Sequence, residues 1–103
     1  MTVPRLDPAE RARAVVAAST ARARRAGVKA DLKLGRLSLA EFLDRANRDP
    51  VLARIPVIDL ITSLPRIGPV RADALMIDVG IAANRRVGGL GVVQRAALLK
   101  ALG

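Results

Sequence analysis

The residues with the most chemistry to offer are Leu64-Pro65-Arg66-Ile67-Gly68-Pro69-Val70-Arg71-Ala72. Pro65 disfavours an αR conformation at Leu64, Gly68 tolerates positive φ, and Pro69 suits the first position of a following helix. Such a turn aims its backbone amides into one concavity, beside the unpaired amides that open the next helix, and a phosphate fits there. Arg66 and Arg71 stand on either side. The same residues also suit an ordinary corner between two helices, in which Ile67 is only core and Gly68 only a C-cap.

A second glycine-rich turn, Arg85-Arg86-Val87-Gly88-Gly89-Leu90-Gly91, leads into a helix carrying Val92, Val93, Ala96, Leu99 and Leu102. Gly89-Leu90-Gly91 echoes Arg66-Ile67-Gly68, and Arg85 and Arg86 have no acidic sequence neighbour to pair with. Two amide nests joined by a rigid helix would clamp one backbone at two points. The alternative is a flexible loop, because glycines cost order unless something needs them. The first turn also resembles the helix-hairpin-helix signature, in which an apolar residue and a glycine fill the hairpin and a basic residue follows.

The third basic feature is a stripe. At 100° per residue, Arg11, Arg22, Arg25, Lys29 and Lys33 fall within about 80° of one another on a straight helix. It reads as a lid laid along nucleic-acid backbone. A merely solvated helix face is the alternative, and a membrane-surface helix is disfavoured because the opposite face is mostly alanine with few bulky anchors.

Composition narrows the chemistry. There is no Cys and no His, which removes disulfides, thiol nucleophiles, soft-metal sites and the commonest general base. No carboxylate pair is poised for acid–base work. The chain is therefore read as having no catalytic residues, no metal site and no cofactor, and as not an enzyme. Phe42 is the one aromatic residue, too few for a base-stacking platform on single strands. No apolar run approaches the roughly 18 residues of a membrane span, and no signal peptide is evident, so a cytoplasmic location is expected.

The formal net charge of +9 points to a polyanionic partner. Residues 1–37 hold nine Arg or Lys against three acids, residues 38–78 five against six, and residues 79–103 four against none. The excess therefore sits at the two ends, and the middle is where a core is expected. Fifteen of the 18 basic residues are Arg, which suits bidentate phosphate contacts, although a GC-rich genome would also favour Arg over Lys.

At 103 residues the chain has room for one small core and no large interior cleft. Met1 to Leu6 reads as a loose leader. Asp7-Pro8-Ala9-Glu10 starts a long Ala- and Arg-rich helix that runs to about Leu34, weakened at Gly27 and short of large apolar residues, so it reads as an arm. Gly35-Arg36-Leu37 is the hinge. Ser38-Leu39-Ala40-Glu41 is a capping box, Asp49-Pro50 caps a short turn, and Pro56 opens the helix entering the first hairpin. The predicted core is Phe42, Leu43, Leu52, Ile55, Leu60, Ile61, Leu64, Leu75 and Met76. The fold class is all-α: a basic helical arm over residues 1–37 and a compact helical domain over residues 38–103.

With both turns and Gln94-Arg95-Ala96-Ala97-Leu98-Leu99 in view, the chain resembles the actinobacterial, mycobacterial-type integration host factor from about Asp7 to Gly103. The resemblance implies a long N-terminal helix joined to a helix–two-turns–helix domain, a motif also seen in a ribosomal protein and some DNA glycosylases. It implies a nucleoid-associated protein that binds double-stranded DNA with little sequence preference and bends or compacts it; a monomer is expected. Structured RNA is the alternative partner, and docking on another protein a third. Carried over by position, Pro65, Arg66, Ile67, Gly68, Pro69 and Val70 would grip one strand; on the residues' own chemistry Arg71 joins them, and Pro65 or Ile67 is a candidate wedge at a base step. Arg85, Arg86, Gly89 and Gly91 would form the second contact, and Arg22, Arg25, Lys29, Lys33 and Arg36 the lid. Two positions depart from the family pattern: Gly88 stands where the family's second turn carries a third arginine, and Pro69 where a lysine is usual. Either the second site is weaker, or Arg95 or the arm compensates.

Overall fold

The computed structural model describes residues 7–103, so the leader Met1–Leu6 lies outside the described residues. In chain order the elements are α1 (Pro8–Lys33), α2 (Leu39–Ala46), α3 (Pro50–Ala53), α4 (Val57–Ser63), α5 (Pro69–Val79), a 3₁₀ turn (Val87–Gly89) and α6 (Val92–Leu102). The all-α class stands. Among the described residues the β-type pairing is one isolated bridge, Pro56 with Arg86.

Local chemistry sets the helix starts. The Asp7 carboxylate accepts from the Glu10 amide at 2.7 Å, and Asp49 accepts from Val51 at 3.0 Å. Ser38 and Glu41 cap reciprocally, at 3.1 and 3.3 Å. Caps of this type contribute about 1 kcal/mol each. Pro8, Pro50 and Pro69 occupy first-turn positions where no amide is needed. Gly35, at φ 73°, turns the chain after α1, and α1 runs through Gly27 without a break.

Eight of the nine predicted core residues are buried, and Leu75 lies half-buried against their edge. The core is larger than the middle of the chain. Leu32, Leu37, Leu39, Val57, Ile67, Ala72, Ile81, Val87, Leu90 and Leu98 belong to it as well. Val92 and Val93, which the sequence places among the apolar residues of the last helix, are instead strongly exposed at its start, as is Val70 at the start of α5.

The second half of α1 docks on this core. Ala21, Arg25, Val28 and Leu32 recur at four-, three- and four-residue steps and are shielded along that helix, as are Lys29 and Asp31 beside them, with Leu32 fully buried. The stripe escapes a hydrophobicity reading because one member is alanine and another arginine. Residues 8–20 remain exposed throughout. At 1.5 Å per residue the 26-residue α1 is about 39 Å long. A second tether is the ion pair between Arg24 and the α3 cap, Asp49.

Candidate nucleic-acid interface

Between α4 and α5 the chain makes a tight turn. Leu64 is extended at φ −73°, ψ 150°, and the Ile67 amide donates to the Leu64 carbonyl at 3.4 Å. Proline as second residue and positive φ at the third are the marks of a type II turn. The positive φ falls on Arg66, at 67°, and not on Gly68. Gly68 is the extended N-cap of α5, at φ −88° and ψ 173°. The expectation placed the left-handed residue two positions late, because the turn is counted from Pro65.

This geometry leaves donors pointing outward. The amides of Arg66, Gly68, Val70 and Arg71 have no protein acceptor among the described residues, and the first bond closing α5 runs from Ala72 to Gly68 at 3.0 Å. A side chain added at Gly68 would meet nothing within 4 Å, so the cradle is open. The Arg66 and Arg71 side chains are exposed beside it. Ile67, by contrast, is turned into the core, and this removes it from the candidate wedges.

A non-glycine residue in the left-handed region costs about 1 kcal/mol or more. Arg66→Gly is therefore expected to raise the melting temperature by roughly 2–8 °C, part of the gain being offset by the greater freedom of glycine in the unfolded chain. A thermal melt checks this, and an unchanged or lowered midpoint would remove the turn assignment.

The second turn is not a copy of the first. Gly88, Gly89 and Gly91 all avoid positive φ. Within the 3₁₀ turn the Gly89 amide donates to Arg86 and the Leu90 amide to Val87, at 2.9 and 3.1 Å. The Gly91 amide is taken by the Gln94 side chain at 3.0 Å. Gln94 also donates to the Gly80 carbonyl at 3.1 Å, stapling the end of α5 to the start of α6. The open donors at the start of α6 are those of Val92, Val93 and Gln94, ahead of the bond from Arg95 to Gly91, and within the turn the amides of Arg86 and Gly88 also have no protein acceptor among the described residues. Gly88 has a packing reason: a Cβ there would lie 3.0 Å from the Ala53 Cβ and 3.2 Å from its carbonyl oxygen. The turn lies close on α3 because no side chain separates them.

The basic side chains divide into committed and free. Lys33 donates to the Thr62 carbonyl at 3.1 Å and ties α1 to the end of α4. Arg85 closes over its own turn, donating to Gly89 at 3.0 Å, which is why a Cβ at Gly89 would meet the Arg85 Cδ at 2.9 Å. Arg95, a candidate to compensate for the missing arginine, is half-buried and donates to Asn47 at the end of α2. These three are held by the fold first. No such bond engages the side chains of Arg22, Arg25, Lys29, Arg36, Arg66, Arg71 or Arg86 among the described residues. Two arginines bear on the surface without having been singled out from the sequence: Arg24, through Asp49, and Arg54 at the end of α3.

Among the described residues no group of three or more His, Cys, Asp or Glu side chains is placed to hold a metal, and no helix is long and apolar enough to cross a membrane.

The comparisons with known proteins agree with one another. A family model described as an S13-like H2TH domain matches residues 32–102. The chain is 41% identical to an integration host factor of Mycobacterium tuberculosis over 103 residues, covering 100% of this chain and 98% of that protein. It is also 41% identical to an integration host factor of Streptomyces coelicolor over 103 residues, covering 100% and 96%. Among solved structures it is similar to sIHF bound to an 8 bp palindromic DNA. The TM-score is 0.81 and the identity 41%, with 84% of this chain and 97% of that one covered.

Proposed function

Because the chain belongs to the integration host factor family found in mycobacteria and Streptomyces, we propose that it is a nucleoid-associated protein that binds duplex DNA through the phosphate backbone and bends it. The observation that carries this reading is the hairpin from Leu64 to Arg71, where four outward amides and two free arginines surround an open cradle. Backbone amides and helix N-termini hold phosphate without reading bases, so sequence preference is weak. Arg86 and the amides opening α6 supply a second contact, and Arg22, Lys29 and Arg36 supply charge from α1 and its hinge. Contacts on separated surfaces favour a curved duplex over a straight one. Structured RNA offers the same phosphates but is the less favoured partner, since the solved relative holds DNA. The proposal contains no catalytic step.

The test is a salt titration of binding to a random-sequence duplex of about 20 base pairs, with wild type and Arg86→Ala. Log affinity falls linearly with log salt, by about 0.9 for each phosphate neutralised. Arg86→Ala is expected to lower that slope by about one unit and to weaken binding uniformly across sequences. Arg86 is the cleaner choice over Arg85, whose removal would also uncap the Gly89 carbonyl. An unchanged slope would take the second turn off the DNA, and absence of binding would overturn the reading.

A further inference from the structure

Three arginines from three separate elements line one open concavity of about 390 Å³ beside Pro56: Arg25 of α1, Arg54 at the end of α3 and Arg86 before the 3₁₀ turn. The fold fixes all three positions. Arg25 lies in the docking stripe of α1. The antiparallel bridge, with Val57 donating to Arg85 and Val87 to Ile55, both at 2.9 Å, pins the chain after Arg54 against the chain around Arg86. No carboxylate lines the concavity. None of the three guanidiniums has a hydrogen-bonding or ionic partner among the described residues, whereas Arg24 and Arg48 each hold an aspartate. Like charges gathered without a counter-charge raise the energy of the fold, and an anion in their midst reverses the sign. On its far side the site continues into a second, mainly apolar concavity of about 400 Å³, which shares Arg25 and Arg54 and is floored by Ala21, Pro50, Val51 and Ala53.

We propose that Arg25, Arg54 and Arg86 form a seat for one nucleotide phosphate, with the sugar of that nucleotide lying on the shelf of Ala21, Val51 and Ala53. A charged fork beside an apolar floor matches the alternation of phosphate and deoxyribose along a strand, and guanidiniums suit the phosphate through paired N–H donors. The inference deepens the DNA-binding reading and rests on it. It adds Arg54 to the interface and lets one strand run between α1 and α3 while the hairpin holds another stretch of backbone. A free nucleotide presents the same phosphate chemistry, so the experiment distinguishes the two sources.

Arg54→Ala and Arg45→Ala would be compared by salt titration on the same duplex. Arg45 is exposed on α2 and does not line the concavity, so it controls for loss of charge alone. In parallel, the Arg54 side-chain Nε–H resonance would be followed by NMR as the duplex, or ATP, is added. The expected result is a slope lower by about one unit and affinity about tenfold weaker for Arg54→Ala only, with an Arg54 shift that saturates on duplex. A saturating shift on ATP with an unchanged duplex slope would support the seat and assign it to free nucleotides. Equal losses in both variants, or no Arg54 shift with either probe, would overturn the seat. If wild type bound no duplex, the DNA reading would fall, and the ATP arm would still decide on the seat.

Discussion

Leu32→Ala is expected to cost about 2–5 kcal/mol, the range for truncating a fully buried leucine where neighbours cannot close the cavity. For a domain of this size that lowers the melting temperature by roughly 10–20 °C. Leu32 is 1% exposed and sits in the last turn of α1, within the same cluster as Leu60, Ile61 and Leu64. The substitution therefore removes side-chain packing from the core and the anchor of the basic helix together. Val16→Ala, at a position 64% exposed on the same helix, is expected to change stability by less than about 0.5 kcal/mol. Calorimetry of both variants would place the boundary between arm and domain. If Leu32→Ala were as mild as Val16→Ala, α1 would be an independent arm to its end. The large asymmetry expected here instead makes its second half part of the domain and leaves the exposed residues 8–20 as the projecting part.

What the sequence discloses follows the range of the interaction concerned. Asp7, Ser38 with Glu41, and Asp49 with Pro50 were legible because a cap is a contact over two or three residues, and the types involved are few. The hairpin was legible in kind and misplaced in detail. Proline and glycine announce a turn, but its left-handed position belongs to Arg66, which carries no propensity signal for it. The docking stripe of α1 was hidden because Ala21 and Arg25 do not look like core residues. The commitments of Lys33, Arg85 and Arg95 were also hidden. Lys33 reaches Thr62 and Arg95 reaches Asn47 across the fold, and Arg85 bends back onto its own turn. The convergence of Arg25, Arg54 and Arg86 depends on how α1, α3 and the bridge meet, which no single segment specifies. Spacing within an element can be read in advance, whereas proximity between elements had to come from the structure.

The basic helix and the hairpin should fail differently when their charges are removed. Replacing Arg22, Lys29 and Arg36 by Gln leaves the buried anchor, the Lys33 bond to Thr62 and the Arg24 pair with Asp49 in place, so the fold is expected to stand. Three lost phosphate contacts would lower the salt slope by between two and three units and the affinity by roughly a hundredfold at physiological salt. The duplex that does bind should be bent nearly as much as with wild type, because this charge adds attraction without setting the direction of the strand. Replacing Arg66 and Arg71 by Gln acts where, under the proposed function, backbone amides would fix the strand's direction. Its expected loss of affinity is smaller, about thirtyfold, but it should also reduce the bend, since curvature depends on holding the duplex at both rigid turns at once. End-to-end energy transfer on a labelled duplex, measured at saturating protein, separates bend from occupancy. Equal losses of bend in the two variants would remove this division of labour, and a helix variant that lost the bend first would make α1 the element that curves the DNA.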